Sequence, residues 1–245
     1  MRKQNTYGRG YPVAVLVGLN TNQAVVWSVF SRVVKAEKTL HLTADETNSK
    51  SVYTFYEAVV NALRPILQAG VRSIILASPP RTNFSEQFLR HVKNHHTWLI
   101  QDSNKAIFAK MTGAATTVAE VTQLTRNPEF KQIITQTTEK ETETLLELIE
   151  KRLSFSDETP LILYSFEEIE THILTPHKKG EAQPEYLLLT DVFLSSSDQK
   201  NRLQRLMQIA SNKHVKTRVV KADSPAGQRL KQLGGIVCLV KYPVA

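Results

Sequence analysis

The sequence predicts an α/β protein of two domains. The prediction rests on the order of its hydrophobic periodicities and on its 245 residues, where one domain takes roughly 100–200. Alternating or continuously apolar runs, which mark strands, are interleaved with stretches of helical period. Residues 13–125 read β-β-β-α-β-α-β, and residues 126–245 read as helices alternating with strands in an α/β sandwich. Residues 1–12 precede the first strand as a basic arm.

Residues 13–19 (Val-Ala-Val-Leu-Val-Gly-Leu) are apolar and β-branched, and Asn20-Thr21-Asn22 closes them as a turn. Residues 24–30 and 33–42 read as two more strands of an antiparallel meander, joined by Ser31-Arg32. Val52, Phe55, Tyr56, Val59, Val60, Leu63, Ile66 and Leu67 then recur at helical spacing, with Gly70 placed to cap the end and Pro65 predicting a kink or break. Residues 73–77 form a buried strand ended by Ser78-Pro79-Pro80, Phe84, Phe88, Leu89 and Val92 mark a second helix, and Trp98-Leu99-Ile100 reads as one more strand.

The longest helical pattern covers residues 128–153; its acidic stretch (Glu139, Glu141, Glu143, Glu147, Glu150) reads as a solvated face. Strands are expected at 160–164, 186–190, 215–220 and 236–241, and helices at 166–174, 198–212 and 225–233. Ser224 followed by Pro225 is a helix start, and Gly234-Gly235 a helix end.

The net charge of +8 is unevenly spread. Residues 1–125 hold 14 basic and 7 acidic side chains, residues 126–180 hold 7 and 11, and residues 181–245 hold 10 and 5. A polyanion is drawn to the first half and to the last third. No apolar run approaches the roughly 18 residues of a membrane helix, and no apolar signal segment follows the first charges, so no membrane partner is expected. Cys238 is the only cysteine, which excludes an intramolecular disulfide and fits a reducing, cytoplasmic setting.

Catalytic patterns are missing. There is no Gly-x-Ser-x-Gly or Walker loop, and Cys238 lies inside an apolar strand where a thiol is inert packing. His91, His95 and His96 carry a spacing that zinc accepts, but no carboxylate or cysteine is near them in sequence, so they read as structural and no cofactor is expected. A meander followed by α-β-α is similar to the ribonuclease H-like folds, whose two-metal chemistry needs carboxylates at the centre of the sheet. Neither 13–19 nor 73–77 has one.

Residues 76–92 (L-A-S-P-P-R-T-N-F-S-E-Q-F-L-R-H-V) resemble the strand–loop–helix of the central domain of the Pelota family, relatives of the class-1 release factors. Ala77, Ser78 and Pro79 match the turn and Glu86, Gln87 and Phe88 the helix, while Pro80-Arg81-Thr82-Asn83 replaces the family's glycine and alters the loop's surface. Residues 219–244 look like the last strand–helix–strand of the release-factor C-terminal domain, with Gly227, Gln228, Leu230, Leu233, Gly235, Ile236 and Pro243 in place. Residues 163–169 and 187–191 resemble its central strands. The resemblance covers residues 12–245, and implies a ribonuclease H-like central domain at 13–125 and a C-terminal-type sandwich at 126–245.

Release factors carry Gly-Gly-Gln between the third strand and the first helix; here residues 43–50 lack it, as Pelota does. Only about a dozen residues precede the first strand, so the family's N-terminal domain is not expected. The expectation is a ribosome-associated, RNA-binding translation factor acting in rescue, recycling or dormancy by binding, not as an enzyme. Arg2, Lys3, Arg9, Arg32, Lys35, Lys38 and Lys50 are the candidate phosphate contacts, on ribosomal RNA or tRNA. Pro79, Pro80, Arg81 and Phe84 are the candidate partner-binding loop. The resemblance implies a translational GTPase or the ABC-type recycling ATPase as protein partner. The alternatives are a divergent hydrolase or nuclease using His41, Asp45 or Glu46 on peptidyl-tRNA or RNA, and a free-standing RNA-binding protein.

Overall fold

The computed structural model describes residues 9–42, 49–101, 105–154, 161–178, 180–196 and 200–241. The chain forms two compact units, residues 1–67 with 71–141 and residues 68–70 with 142–245. Each is a mixed α/β layer built on a mixed sheet.

The first unit contains β1 (Pro12–Leu19), β2 (Gln23–Phe30), β3 (Val34–His41), α1 (Ser49–Gln68), β4 (Ser73–Ser78), α2 (Phe84–His95), β5 (Ile107–Thr112) and α3 (Val118–Arg126). Its sheet order is β3-β2-β1-β4-β5, as expected of a ribonuclease H-like sheet, with β1, β2 and β3 antiparallel and β4 and β5 parallel to β1. The central strands read as unbroken apolar runs because helices cover both faces. On one face Val15, Val17, Val26, Ile74 and Leu76 pack with Phe55, Val59, Val60 and Leu63 of α1 and Phe88 and Val92 of α2. On the other, Leu16, Val25, Trp27, Ile75 and Met111 pack with Val121 and Leu124 of α3.

Three expectations need correction here. First, α1 runs through Pro65 to Gln68. Leu63 and Leu67, on either side of it, are buried in one cluster, and that packing offsets a proline cost of about 3 kcal/mol. Gly70 follows at φ +107°, the left-handed conformation that ends helices. Second, Trp98-Leu99-Ile100 is not a strand. Thr97–Leu99 is a single 3-10 turn continuing from α2, in which Leu99 is buried, and the fifth strand is β5. Three adjacent apolar residues do not separate a strand from a buried turn, and Lys110 in the middle of β5 hides the real one.

Third, α3 was not expected, although its capping box is legible as Thr117-x-x-Glu120. The Glu120 amide donates to Thr117 Oγ1 at 3.3 Å, and the Thr117 amide donates back to the Glu120 carboxylate at 3.0 Å. Asn127, held extended by the following Pro128, separates α3 from α4 (Pro128–Leu153). The acidic stretch of α4 is solvated at Glu139, Glu143, Glu147 and Glu150 but not at Glu141, which is buried and accepts a 2.5 Å hydrogen bond from Ser73 Oγ.

The second unit holds the end of α4 with β6 (Ile162–Leu163), α5 (Phe166–Leu174), β7 (Gln183–Thr190), α6 (Asp191–Ser196), α7 (Lys200–Asn212), β8 (Lys216–Val220), α8 (Pro225–Gln232) and β9 (Ile236–Lys241). The sheet order is β6-β9-β7-β8, with β7 and β8 parallel and β9 antiparallel to its neighbours. Ile169, Ile173, Leu203 and Leu206 cover one face, and Leu145, Ile149, Ala226 and Leu230 the other. Ser224 caps α8 by accepting from the Gly227 amide at 3.1 Å, and Gly234 and Gly235 at φ +98° and +86° end it. Burial pushes the Cys238 thiol up to about 12, so it stays protonated at neutral pH.

Arg152 of α4 donates to the Val240 carbonyl at 2.5 Å and to Glu185 of β7, which Lys216 of β8 approaches at 3.2 Å. Burial alone would raise the pKa of Glu185, but the Arg152 hydrogen bond and the Lys216 and Arg152 charges outweigh it and hold the carboxyl below its usual range. A depressed folded-state pKa contributes stability that is present above the unfolded value of about 4.3 and lost as pH falls through the folded one. Urea unfolding of the wild type and Glu185→Gln over a pH series should differ most at neutral pH, by about 1–3 kcal/mol, and converge below about pH 4. A pH-independent difference would contradict the assignment.

Candidate nucleic-acid interface

β3 is an edge strand, and its side chains from Lys35 to Thr39 are all exposed. It pairs with β2 so that Lys35 lies opposite Ser28, Ala36 opposite Trp27 and Lys38 opposite Val26, leaving Glu37 as an inserted residue. This bulge matters because an uninterrupted strand would send Lys35 and Lys38, three positions apart, to opposite faces. With Glu37 inserted, both share the face of Leu40, which packs against the core under α1.

Two further cations mark the start of this edge. Arg32 is exposed in the β2–β3 turn. Arg9 precedes Gly10, where φ is +77° and a Cβ would fall 2.0 Å from Ser31 Oγ and 3.4 Å from Arg32 Cγ. The Ser31 amide donates to the Tyr11 carbonyl at 2.9 Å, so the backbone that follows Arg9 is held against the β2–β3 turn that carries Arg32. At the other end of β3, His41 and Lys50 line one cleft of about 260 Å³ with Leu42, Ser51, Thr54, Phe55 and Ala58. The cations Arg9, Arg32, Lys35, Lys38 and Lys50 therefore follow one sheet edge, over a strand of roughly 26 Å at 3.3 Å per residue.

Glu37 is the sole carboxylate among described residues 9–42, and it pairs with Lys35 at 2.8 Å on the surface, where such a bond is worth little. Arg9, Arg32 and Lys38 make no ion pair among the described residues. Arg2 and Lys3 lie outside the described residues, as do Asp45 and Glu46 of the hydrolase alternative, of whose set only His41 is placed.

The partner-loop candidates run from the end of β4 to Phe84, the first residue of α2. Pro80 and Arg81 are exposed, Thr82 Oγ1 donates to the Pro79 carbonyl at 2.7 Å, and Arg81 adopts φ +63°, uncommon for a residue with a side chain. Phe84 is half-buried and packs against the core of the first unit. The loop thus presents Pro80 and Arg81 outward, while Pro79 is half-buried and Phe84 anchors it.

The fold brings a carboxylate that is distant in sequence to two of the three histidines. α1 carries Glu57 to the end of α2, where its Oε1 lies 3.0 Å from His91 Nε2 and 2.6 Å from His96 Nε2. Burial would raise the pKa of Glu57, but hydrogen bonds and charge from His96 and His91 outweigh it and hold the carboxyl below its ordinary value. Burial, together with the charges of His95 and His96, outweighs the raising influence of Glu57 and lowers the pKa of His91. His95 stays exposed. A carboxylate 34 residues upstream leaves no local signal in the sequence.

With this geometry in hand, three comparisons bear on family. Residues 87–244, more than half of the chain, match the model of eRF1 domain 3. The protein DOM34 of Saccharomyces cerevisiae is 25% identical over 220 residues, which are 88% of this chain and 54% of the yeast protein. A protein pelota homolog of Aeropyrum pernix is 28% identical over 129 residues, 52% of this chain and 34% of that protein. The chain thus spans about half the length, or less, of the curated relatives it matches.

Among solved structures, ribosome-bound archaeal Pelota with ABCE1 superposes with TM-score 0.54 at 16% identity, over 99% of this chain and 65% of that one. S. cerevisiae Dom34, described as a translation termination-like factor in RNA quality control that interacts with Hbs1, gives 0.50 at 22% identity, over 97% and 66%. At these identities the structures speak for the fold alone. The match to eRF1 domain 3 and the ordered relatives place this chain in the Pelota/eRF1-like family, across its central and C-terminal portions.

Proposed function

We propose that this protein is a ribosome-associated translation factor of the Pelota type, acting in rescue, recycling or dormancy. It works by binding, without hydrolysing peptidyl-tRNA. The observation that carries the reading is the cationic edge of the first unit, where a bulge turns Lys35 and Lys38 to one face between Arg9, Arg32 and Lys50. Such cations neutralise phosphates and fix register on ribosomal RNA or tRNA without reading bases. Arg2 and Lys3 extend the same charge along the chain. The absence of Gly-Gly-Gln from the sequence and the buried, protonated state of Cys238 support the binding-only reading.

The protein partners follow from the relatives. Dom34 is described as interacting with Hbs1, and archaeal Pelota is seen with ABCE1 on the ribosome; a translational GTPase and an ABC-type recycling ATPase are accordingly the proposed partners, with Pro79, Pro80, Arg81 and Phe84 as a contact. No helix among the described residues is long and apolar enough to cross a membrane.

A pull-down from native lysate, followed by sedimentation, tests this. Ribosomes should be retained at low salt and released as salt rises. Retention of naked RNA with no ribosomes would overturn the reading in favour of a free-standing RNA binder. Turnover of peptidyl-tRNA by the purified chain would overturn its binding-only part.

A further inference from the structure

The structure assigns a divalent transition-metal site, of zinc type, to Glu57, His91 and His96. The three ligand atoms, Glu57 Oε1, His91 Nε2 and His96 Nε2, lie within 4.8 Å of one another. Around a tetrahedral zinc with bonds of about 2.0–2.2 Å, ligand atoms stand roughly 3.3 Å apart. The two histidine-to-glutamate separations, 3.0 and 2.6 Å, are already that close, and only a small opening is needed to admit the ion.

The chemistry of the set selects the metal. Two imidazoles and one carboxylate suit zinc and its first-row neighbours, and are a poor set for calcium or magnesium, which take oxygen ligands. The imidazoles are held before the metal arrives. Their side chains are 6% and 8% exposed, and the His91 ring contacts Tyr53 at 5.1 Å and Tyr56 at 5.5 Å, with the His96 ring 5.4 Å away. Glu57 is 26% exposed, which leaves a route from solvent and a fourth coordination position for water. A bound ion would tie α1 to the end of α2 and to the turn after it.

The test uses the full chain and two probes, Co²⁺ and Zn²⁺. Titration with Co²⁺ should produce visible ligand-field absorption at one ion per chain, bleached by Zn²⁺. A hundredfold excess of Zn²⁺ over its Kd should raise Tm by roughly 5–10 °C. Glu57→Gln and His96→Ala should each weaken Co²⁺ binding by about a hundredfold or more, beyond the 10–100-fold of a lost outer partner. His95→Ala, at the exposed neighbouring histidine, should leave binding unchanged. No absorption and no Tm shift in the wild type would overturn the assignment, whatever the variants do. So would binding that survives Glu57→Gln and His96→Ala but is lost in His95→Ala.

Discussion

Gly18→Ala is expected to destabilise the first unit by about 3 kcal/mol or more, a large share of the 5–15 kcal/mol that holds an ordinary domain. A Cβ at Gly18 would stand 1.9 Å from the Ala115 carbonyl oxygen and 2.4 Å from its carbon. Both are backbone atoms, so no side chain can rotate away. The same oxygen accepts the Trp27 Nε1–H at 2.8 Å, and Ala115 is buried beside Leu16, Trp27 and Met111. Moving the loop to admit a methyl group therefore strands a buried indole donor and opens the core under α3. Thermal unfolding should show a Tm lowered by roughly 6–12 °C, at 2–4 °C per kcal/mol. A stability within about 1 kcal/mol of wild type would mean that this close approach yields at little cost.

The second large effect belongs to the cationic edge. The triple variant Arg32→Glu, Lys35→Glu, Lys38→Glu should weaken ribosome binding on the order of 10²–10³-fold at low salt, about one decade per lost phosphate contact. Stability should barely move, because all three side chains are exposed and their one ion pair among the described residues is a surface pair with Glu37. Net charge alone cannot account for such a loss if Lys93→Glu, Lys131→Glu, Lys231→Glu, an equal change at exposed positions off this edge, keeps most of the affinity. Lysines and a bulge on an open edge also guard it against pairing with another strand, and that role predicts aggregation of the variants, not a specific loss of ribosome binding.

Much of the fold was legible because its strongest signals are local. The unbroken apolar run of β1 announced a strand, and Ser224-Pro225 with Gly234-Gly235 bracketed α8 closely. The errors came where local pattern and packing part ways. Trp98-Leu99-Ile100 has the composition of a strand but sits directly after α2, where the chain continues as a turn to bury Leu99. Glu141 belongs by composition to a solvated face, yet its hydrogen bond with Ser73 takes it inside. Pro65 is outweighed by the leucines around it.

The candidate sites divide in the same way. Basic residues near the start of the chain can be counted from the sequence, but their common edge cannot. It depends on the register of β3 against β2, and only the insertion of Glu37 turns Lys35 and Lys38 to one face. Gly10 gave no hint that it packs against Ser31 and Arg32, since close backbone approach is a tertiary fact. The meeting of Glu57 with His91 and His96 arises because α1 and α2 pack on the same face of the sheet.

The most direct measurement is ribosome affinity across a salt series, for the wild type and the Arg32/Lys35/Lys38 triple variant side by side. Five contacts from Arg9, Arg32, Lys35, Lys38 and Lys50 give a slope of log K against log salt of about −3 to −5, shallower by about 2–3 in the variant. A wild-type affinity indifferent to salt, or a slope that the three reversals leave untouched, would show that phosphates do not meet this edge.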